Sequence, residues 1–242
     1  MTMAAGAGPL AGRWVLVTGA SRGIGAEVAR RLATDGARLA LVARSREPLE
    51  ALAREIAAVA VVCDVADDDA VADAVSRIAQ LTHGSPDVIV NNAGSFTIQP
   101  VHETSVERFR ETLEVNVVAP FSFARAFLSA MQARGHGHIV TIGSIADRAV
   151  FPGNAAYAAS KHGLRALHEV LRAELRGSGV RASLVSPGPV DTDLWDPIDP
   201  DNQPGFTPRA QMLTAGDVAD AVRWVVLAPE SVNVDELRLS RS

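Results

Sequence analysis

At 242 residues the chain has room for one large domain or two small ones. Hydrophobic residues at 48% and charged residues at 21% exclude a disordered polymer, and the longest unbroken apolar run, residues 56–63, falls far short of the ~20 residues needed to cross a bilayer. A net charge of −5 argues against nucleic acid as a partner, and the single cysteine, Cys63, excludes an internal disulfide and fits a reducing, cytoplasmic compartment.

Residues 1–12 are small and apolar, lack the basic stretch of a secretory signal and read as a flexible tail, leaving 13–242 as a single domain. A β-branched run at Trp14–Thr18 predicts the first strand. It leads directly into Gly19, Ala20, Ser21, Arg22, Gly23, Ile24 and Gly25, followed by a helical pattern over 27–34. Glycines at such a junction let the backbone turn sharply and approach a ligand closely. The helix start then offers unpaired N–H groups and partial positive charge to a pyrophosphate. The second strand, Arg38–Ala43, ends in Arg44 instead of the carboxylate that would accept from an NAD ribose. Arg44 and Arg22 are therefore candidates to grip the 2′-phosphate of NADP(H), in preference to NAD(H), a planar task that suits guanidinium.

A helix over 47–57 and a third strand over 59–63 follow. Past that strand, Asp64 and Val65 stand where a carboxylate reaches the adenine amino group; alternatively Asp64 caps a turn. Asp67, Asp68 and Asp69 read as the start of a helix over 68–80, where carboxylates are favoured. A fourth strand over 86–90 precedes Asn91, Asn92, Ala93 and Gly94, and then a long helix over 104–133. Pro120 within that helix has no N–H, so the Asn116 carbonyl four residues earlier loses its partner. The helix must bend there, freeing that oxygen to hold a water. His136 and His138 flank a glycine and read as a surface turn before a fifth strand over 138–142.

Ser144 follows that strand, at the end where such sheets bind ligands, and its hydroxyl can donate to a developing alkoxide. A helix over 154–176 carries Tyr157 and Lys161, four residues apart and so on one face. They are the chain's only tyrosine and only lysine; all the other residues among its 23 lysines and arginines are arginine. A phenol of pKa ~10 is a poor base at neutral pH, and a neighbouring ammonium lowers that value, making Tyr157 a candidate general acid/base. After a sixth strand over 180–185, residues 187–208 break the pattern with prolines, aspartates, Trp195 and Phe206. This reads as an insertion forming a substrate lid over about 189–213, where Asp191, Asp193, Asp196, Asp199 and Asp201 argue against an anionic substrate. A helix over 217–227 and an edge strand over Glu236–Leu239 complete the series. Apolar strands alternating with amphipathic helices, without linker or repeat, predict one doubly wound α/β domain with its parallel sheet covered on both faces. Neither H-E-x-x-H nor C-x-x-C occurs, so no metal site is expected.

Taken together, these residues resemble the short-chain dehydrogenase/reductase family. Thr18 to Gly25, Asn91-Asn92-Ala93-Gly94, Asn116, Ser144, Tyr157-x-x-x-Lys161 and Pro187-Gly188 match its signatures in order and span nearly the whole chain. The resemblance implies a Rossmann-type sheet of seven strands and an Asn-Ser-Tyr-Lys tetrad of Asn116, Ser144, Tyr157 and Lys161. In that tetrad Tyr157 exchanges a proton with the substrate oxygen and Ser144 orients that oxygen. Lys161 binds the ribose hydroxyls and lowers the tyrosine pKa, and Asn116 holds a relay water through its main-chain oxygen. Asn92 is implied to pack the sheet centre near the cofactor, and Val190 and Thr192 to contact the carboxamide; Arg22 and Arg44 match the NADP-preferring members. The implied activity is hydride transfer between NADP(H) and a carbonyl or alcohol, of ketone or 3-oxoacyl type. The implied assembly is a homodimer or homotetramer paired through helices 104–133 and 154–176. Two alternatives stand beside it. Extended-type epimerases or dehydratases share Tyr-x-x-x-Lys, but usually have a T-G-x-x-G-x-x-G turn and a larger C-terminal domain, neither of which this sequence has. A non-catalytic NADP-binding regulator would be favoured by loss of the tyrosine or lysine.

Overall fold

The structure, a computed structural model, describes residues 8–242. Seven parallel strands form the main sheet: β1 (Trp14–Thr18), β2 (Arg38–Ala43), β3 (Val59–Val62), β4 (Val88–Asn91), β5 (Gly137–Ile142), β6 (Val180–Pro187) and β9 (Glu236–Leu239). Two further strands, β7 (Val190–Asp191) and β8 (Leu213–Thr214), pair with each other outside it. The helices are α1 (Gly23–Thr34), α2 (Arg46–Glu55), α3 (Asp68–Thr82), α4 (Val106–Leu113), α5 (Ala119–Arg134), α6 (Ala155–Glu174) and α7 (Ala215–Leu227).

Strand periodicity builds two cores. On β1, Val15 and Val17 face one way and pack with Leu32 of α1, Leu49 of α2 and Val222 of α7. Leu16, between them, faces the other way with Ile78 of α3 and Phe123, Phe127 and Met131 of α5. Both faces are covered, which is why the strands are apolar without alternation. The strand order β3-β2-β1-β4-β5-β6-β9 reverses direction between β1 and β4, opening a crevice at the C-terminal ends of those strands, where ligands bind such sheets.

Several sequence expectations shift. Of the tail read at 1–12, residues 1–7 lie outside the described residues, while 8–12 are turns fixed to the domain: Leu10 is buried and its N–H donates to the Asp35 carbonyl at 2.9 Å. The single helix expected over 104–133 is α4 and α5 joined by a π-helical turn, Glu114–Val118, in which the Ala119 N–H reaches back to the Glu114 carbonyl. The extra residue accommodates Pro120, which then sits in the first turn of α5, where a missing N–H is tolerated. His138 is no surface turn: it is 2% exposed within β5, hydrogen-bonded to Ser183 Oγ of β6 at 2.8 Å, and burial pushes its pKa down to about 3. The insertion at 187–208 is more ordered than a loop: it contains β7 and a short 3-10 turn, Asp193–Trp195, and β7 pairs with β8 just beyond a second 3-10 turn, Arg209–Gln211.

Candidate active site

One cleft of about 1090 Å³ runs across the C-terminal ends of the sheet. It is lined at one end by Gly19, Ser21, Arg22, Gly23, Ile24, Arg44, Asp64 and Val65, and at the other by Ser144, Tyr157, Lys161 and the segment after β6.

The first end is shaped by close backbone approach. Gly25 does not line the cleft; a Cβ there would lie 2.4 Å from the Gly19 carbonyl oxygen and 2.5 Å from Asn92 Nδ2, so only glycine lets α1 begin against the turn. Gly19 itself has φ +65. Asn92 Nδ2 donates to the Thr18 and Gly19 carbonyls at 2.9 and 3.2 Å, while Thr18 Oγ1 accepts from the Asn92 and Ala93 N–H groups at 3.0 Å each. This knot ties the ends of β1 and β4, and Gly94 follows it on the cleft wall. The start of α1 has no side-chain cap, which leaves its first N–H groups without a capping partner, and Gly23 and Ile24 there line the cleft. Arg44 is 70% exposed, with Asp64 its nearest carboxylate at 3.9 Å, and Arg22 lies 3.7 Å from Asp193. Asp64 also accepts from the Ala66 N–H at 3.1 Å, the turn-capping role read as one of its two options. Uncapped N–H groups, a cradle that a Cβ would fill and two loosely held guanidinium groups fit a phosphorylated dinucleotide.

At the second end, Ser144 is extended and its Oγ accepts from the Ala146 N–H at 3.1 Å, while its hydroxyl hydrogen donates toward the Tyr157 oxygen. Lys161 is buried, its Nζ donates to the Ile142 carbonyl at 2.9 Å, and it stands 5.6 Å from the Tyr157 ring centre. Burial pushes Lys161 down to about 8. Tyr157 is pushed up, not down: burial dominates, a hydrogen bond from Ser144 opposes it, and the Asp147 carboxylate adds to the rise. Desolvation of the phenolate is the largest of these influences and sets the upward direction.

Asn116 is fully buried, and its side chain is committed. Its Oδ1 accepts from the Ser95 N–H at 2.7 Å, and its Nδ2 donates to the Ser95 carbonyl and to Ser160 Oγ, both at 2.9 Å. Pro187 closes β6, the Gly188 N–H donates to the Leu239 carbonyl at 2.8 Å, and Val190 and Thr192 continue along the cleft.

Three features escaped the sequence reading. Asp147, three residues past Ser144, is fully buried; its Oδ2 accepts from Ser186 Oγ at 2.6 Å, while its Oδ1 has no hydrogen-bond partner among the described residues and lies 3.8 Å from Arg148 Nε. Phe96, in the loop after β4, stacks edge-on against Tyr157 with ring centres 4.8 Å apart. Arg209 ties the segment after β6 together, bonding Asp191 and Asp196 at 2.6 Å each, while its N–H donates to Asp201 Oδ1 at 2.8 Å. These acids are therefore largely held by their own arginine.

A family profile described as short chain dehydrogenase matches residues 13–203. A glycine betaine reductase of Emericella nidulans is 37% identical over 238 residues, 95% of this chain but only 19% of that protein, so the chain spans about a fifth of its length. An uncharacterized oxidoreductase of Mycobacterium tuberculosis is 39% identical over 228 residues, covering 93% of this chain and 89% of that one. Among solved structures, a metagenomic short-chain oxidoreductase in complex with NADP superposes with a TM-score of 0.83 at 34% identity, over 97% of this chain and 99% of its own.

Proposed function

This chain belongs to the short-chain dehydrogenase family, and on that premise we propose that it is an NADP(H)-dependent oxidoreductase that reduces a carbonyl compound to the alcohol, with Tyr157 as proton donor. The observation that supports it most is the pairing of Tyr157 with Ser144 and Lys161 in the same cleft as the glycine turn and Arg44. A phenol pushed above its ordinary pKa is protonated at neutral pH, the form in which Tyr157 can give up a proton.

The dihydronicotinamide, when bound, supplies the hydride that the carbonyl carbon accepts. Tyr157 passes its hydroxyl proton to the carbonyl oxygen as negative charge gathers there, giving the alcohol. Ser144 turns its hydroxyl hydrogen from the Tyr157 oxygen to the same substrate oxygen. Lys161, held by Ile142, keeps a positive charge beside the phenolate that Tyr157 becomes. Asn116 acts through its main-chain oxygen in returning the proton, since its side chain is already bonded to Ser95 and Ser160.

The coenzyme assignment rests on Arg44 and Arg22. Arg44→Asp removes an exposed cation and adds a repelling carboxylate, so NADPH affinity should fall by about 2 kcal/mol or more, roughly thirtyfold, while NADH binding holds or improves. Titration calorimetry with both coenzymes checks it; equal losses would mean that Arg44 does not read the 2′-phosphate.

A pH dependence follows from Lys161. In the free protein its ammonium loses its proton around pH 8, whereas Tyr157 stays protonated well beyond that. kcat/KM for reduction should therefore fall as pH rises through about 8. The Asp147 carboxylate raises the Lys161 pKa, so Asp147→Asn should move this limb to lower pH. A limb unmoved in the variant, recorded across a full pH series, would show that the buried carboxylate does not set the lysine charge.

A further inference from the structure

The half of the cleft beyond Tyr157 has a chemical character of its own. Four aromatic rings run from the reacting group to the segment after β6: Tyr157 to Phe96 at 4.8 Å, Phe96 to Trp195 at 5.0 Å and Trp195 to Phe206 at 6.3 Å, each pair edge to face. The indole N–H of Trp195 donates to the Val190 carbonyl at 3.0 Å, so its one polar atom is used and only ring carbon is left for a ligand. Ile98, Ile145, Phe151 and Leu194 line the same space.

Charge is missing where an anionic substrate would need it. The cations on the cleft wall, among the described residues, are Arg22 and Arg44 at the glycine-turn end, Lys161 and Arg108. Lys161 is buried and bonded to Ile142. Arg108 is paired with Glu111 at 2.8 Å, and Glu111 also lines the cleft, so this pair brings no net positive charge. A carboxylate or phosphate held against these rings would meet no uncommitted cation among the described residues, and would have to compete with Glu111 for Arg108.

We propose that this half of the cleft takes an uncharged ketone or aldehyde bearing an aromatic ring or a comparably bulky apolar group, which packs on Phe96, Trp195 and Phe206 while its oxygen meets Ser144 and Tyr157. This rests on the oxidoreductase reading and adds the substrate class to it. Packing an aryl group edge-on against such rings adds to the burial of its area, and a compact polar carbonyl gains neither. Arg209 fixes the segment that carries Trp195, through Asp191 and Asp196, so the aromatic wall is set before substrate arrives.

The test measures NADPH oxidation with acetophenone, acetone, dihydroxyacetone and pyruvate, alongside calorimetric binding of the same compounds to protein loaded with oxidised NADP. Acetophenone should exceed acetone in kcat/KM by at least roughly tenfold, and exceed pyruvate further. Trp195→Ala should reduce the acetophenone-to-acetone ratio roughly five- to tenfold, the factor expected for one lost aromatic contact. Because Trp195 also anchors that segment, Phe206→Ala, which breaks no hydrogen bond of the ring, serves as the second variant and should lower both that ratio and acetophenone affinity. Preference for pyruvate or dihydroxyacetone, failure of acetophenone to bind, or a preference unmoved in both variants overturns the proposal. Tight acetophenone binding with no oxidation of NADPH by any compound would instead uphold the pocket's class and overturn the oxidoreductase reading.

Discussion

Tyr157→Phe is expected to bind NADPH as the parent does and to lose kcat for carbonyl reduction by about 10²- to 10⁴-fold, the usual contribution of a positioned acid. Phenylalanine keeps the ring that packs edge-on against Phe96, so the contacts running from residue 157 through Phe96 to Trp195 survive. What disappears is the hydroxyl that Ser144 hydrogen-bonds and that gives the substrate oxygen its proton. Because burial holds the phenol in its protonated form, no charge is removed from the resting site and coenzyme affinity has no electrostatic reason to change. Single-turnover oxidation of bound NADPH separates the chemical step from coenzyme exchange. A variant retaining more than about a tenth of the parent rate falls outside the range for general acid catalysis and would end the assignment. The same measurement disposes of a purely regulatory coenzyme-binding role, which predicts no turnover in the parent either.

The parts of this site legible from sequence are those whose chemistry is encoded by spacing along one element. Tyr157 and Lys161 share a helix face because they are four residues apart, and the glycine turn is visible because strand, glycines and helix are contiguous. The fold was readable for a similar reason: β1 and β2 have the bounds that their apolar runs indicate, since buried parallel strands need little else. The start of α1 at Gly23 was not, because glycines lower helix propensity although they open the helix here. Asp147, Phe96 and Arg209 are single residues whose meaning comes from what folds against them, Ser186 for Asp147, Tyr157 for Phe96, and Asp191 and Asp196 for Arg209. Local composition says nothing about such partners. His138 was misread for the same cause: the glycines around it suggest an exposed turn, and only Ser183 of β6, against which its ring is buried, gives it a place inside the sheet.

Asn116 gives the other large effect, on stability, and distinguishes its side chain from its main chain. Asn116→Ala deletes three hydrogen bonds at once, two to the Ser95 backbone and one to Ser160 Oγ. Groups left without partners in a buried setting cost about 1–3 kcal/mol each, so the fold should lose about 3 kcal/mol or more, roughly 6–12 °C in Tm for a domain of this size. Ser95 adjoins Phe96, and freeing that loop should raise KM for an aryl ketone along with the stability loss. Pro120→Ala makes the opposite change: it touches no side-chain bond of Asn116 and supplies an N–H to a main chain that lacks one. Pro120 lies in the first turn of α5, where proline is tolerated, so any gain in Tm should be well below the ~3 kcal/mol of a helix interior. If the Asn116 carbonyl serves the proton path, occupying it should lower kcat while Tm holds or rises, a combination that damage to the fold cannot produce. Measuring kcat and Tm together in both variants decides between them. Unchanged kcat in Pro120→Ala would remove the main-chain carbonyl from the proton path and leave Asn116 as the side-chain tie between the loop at Ser95 and helix α6.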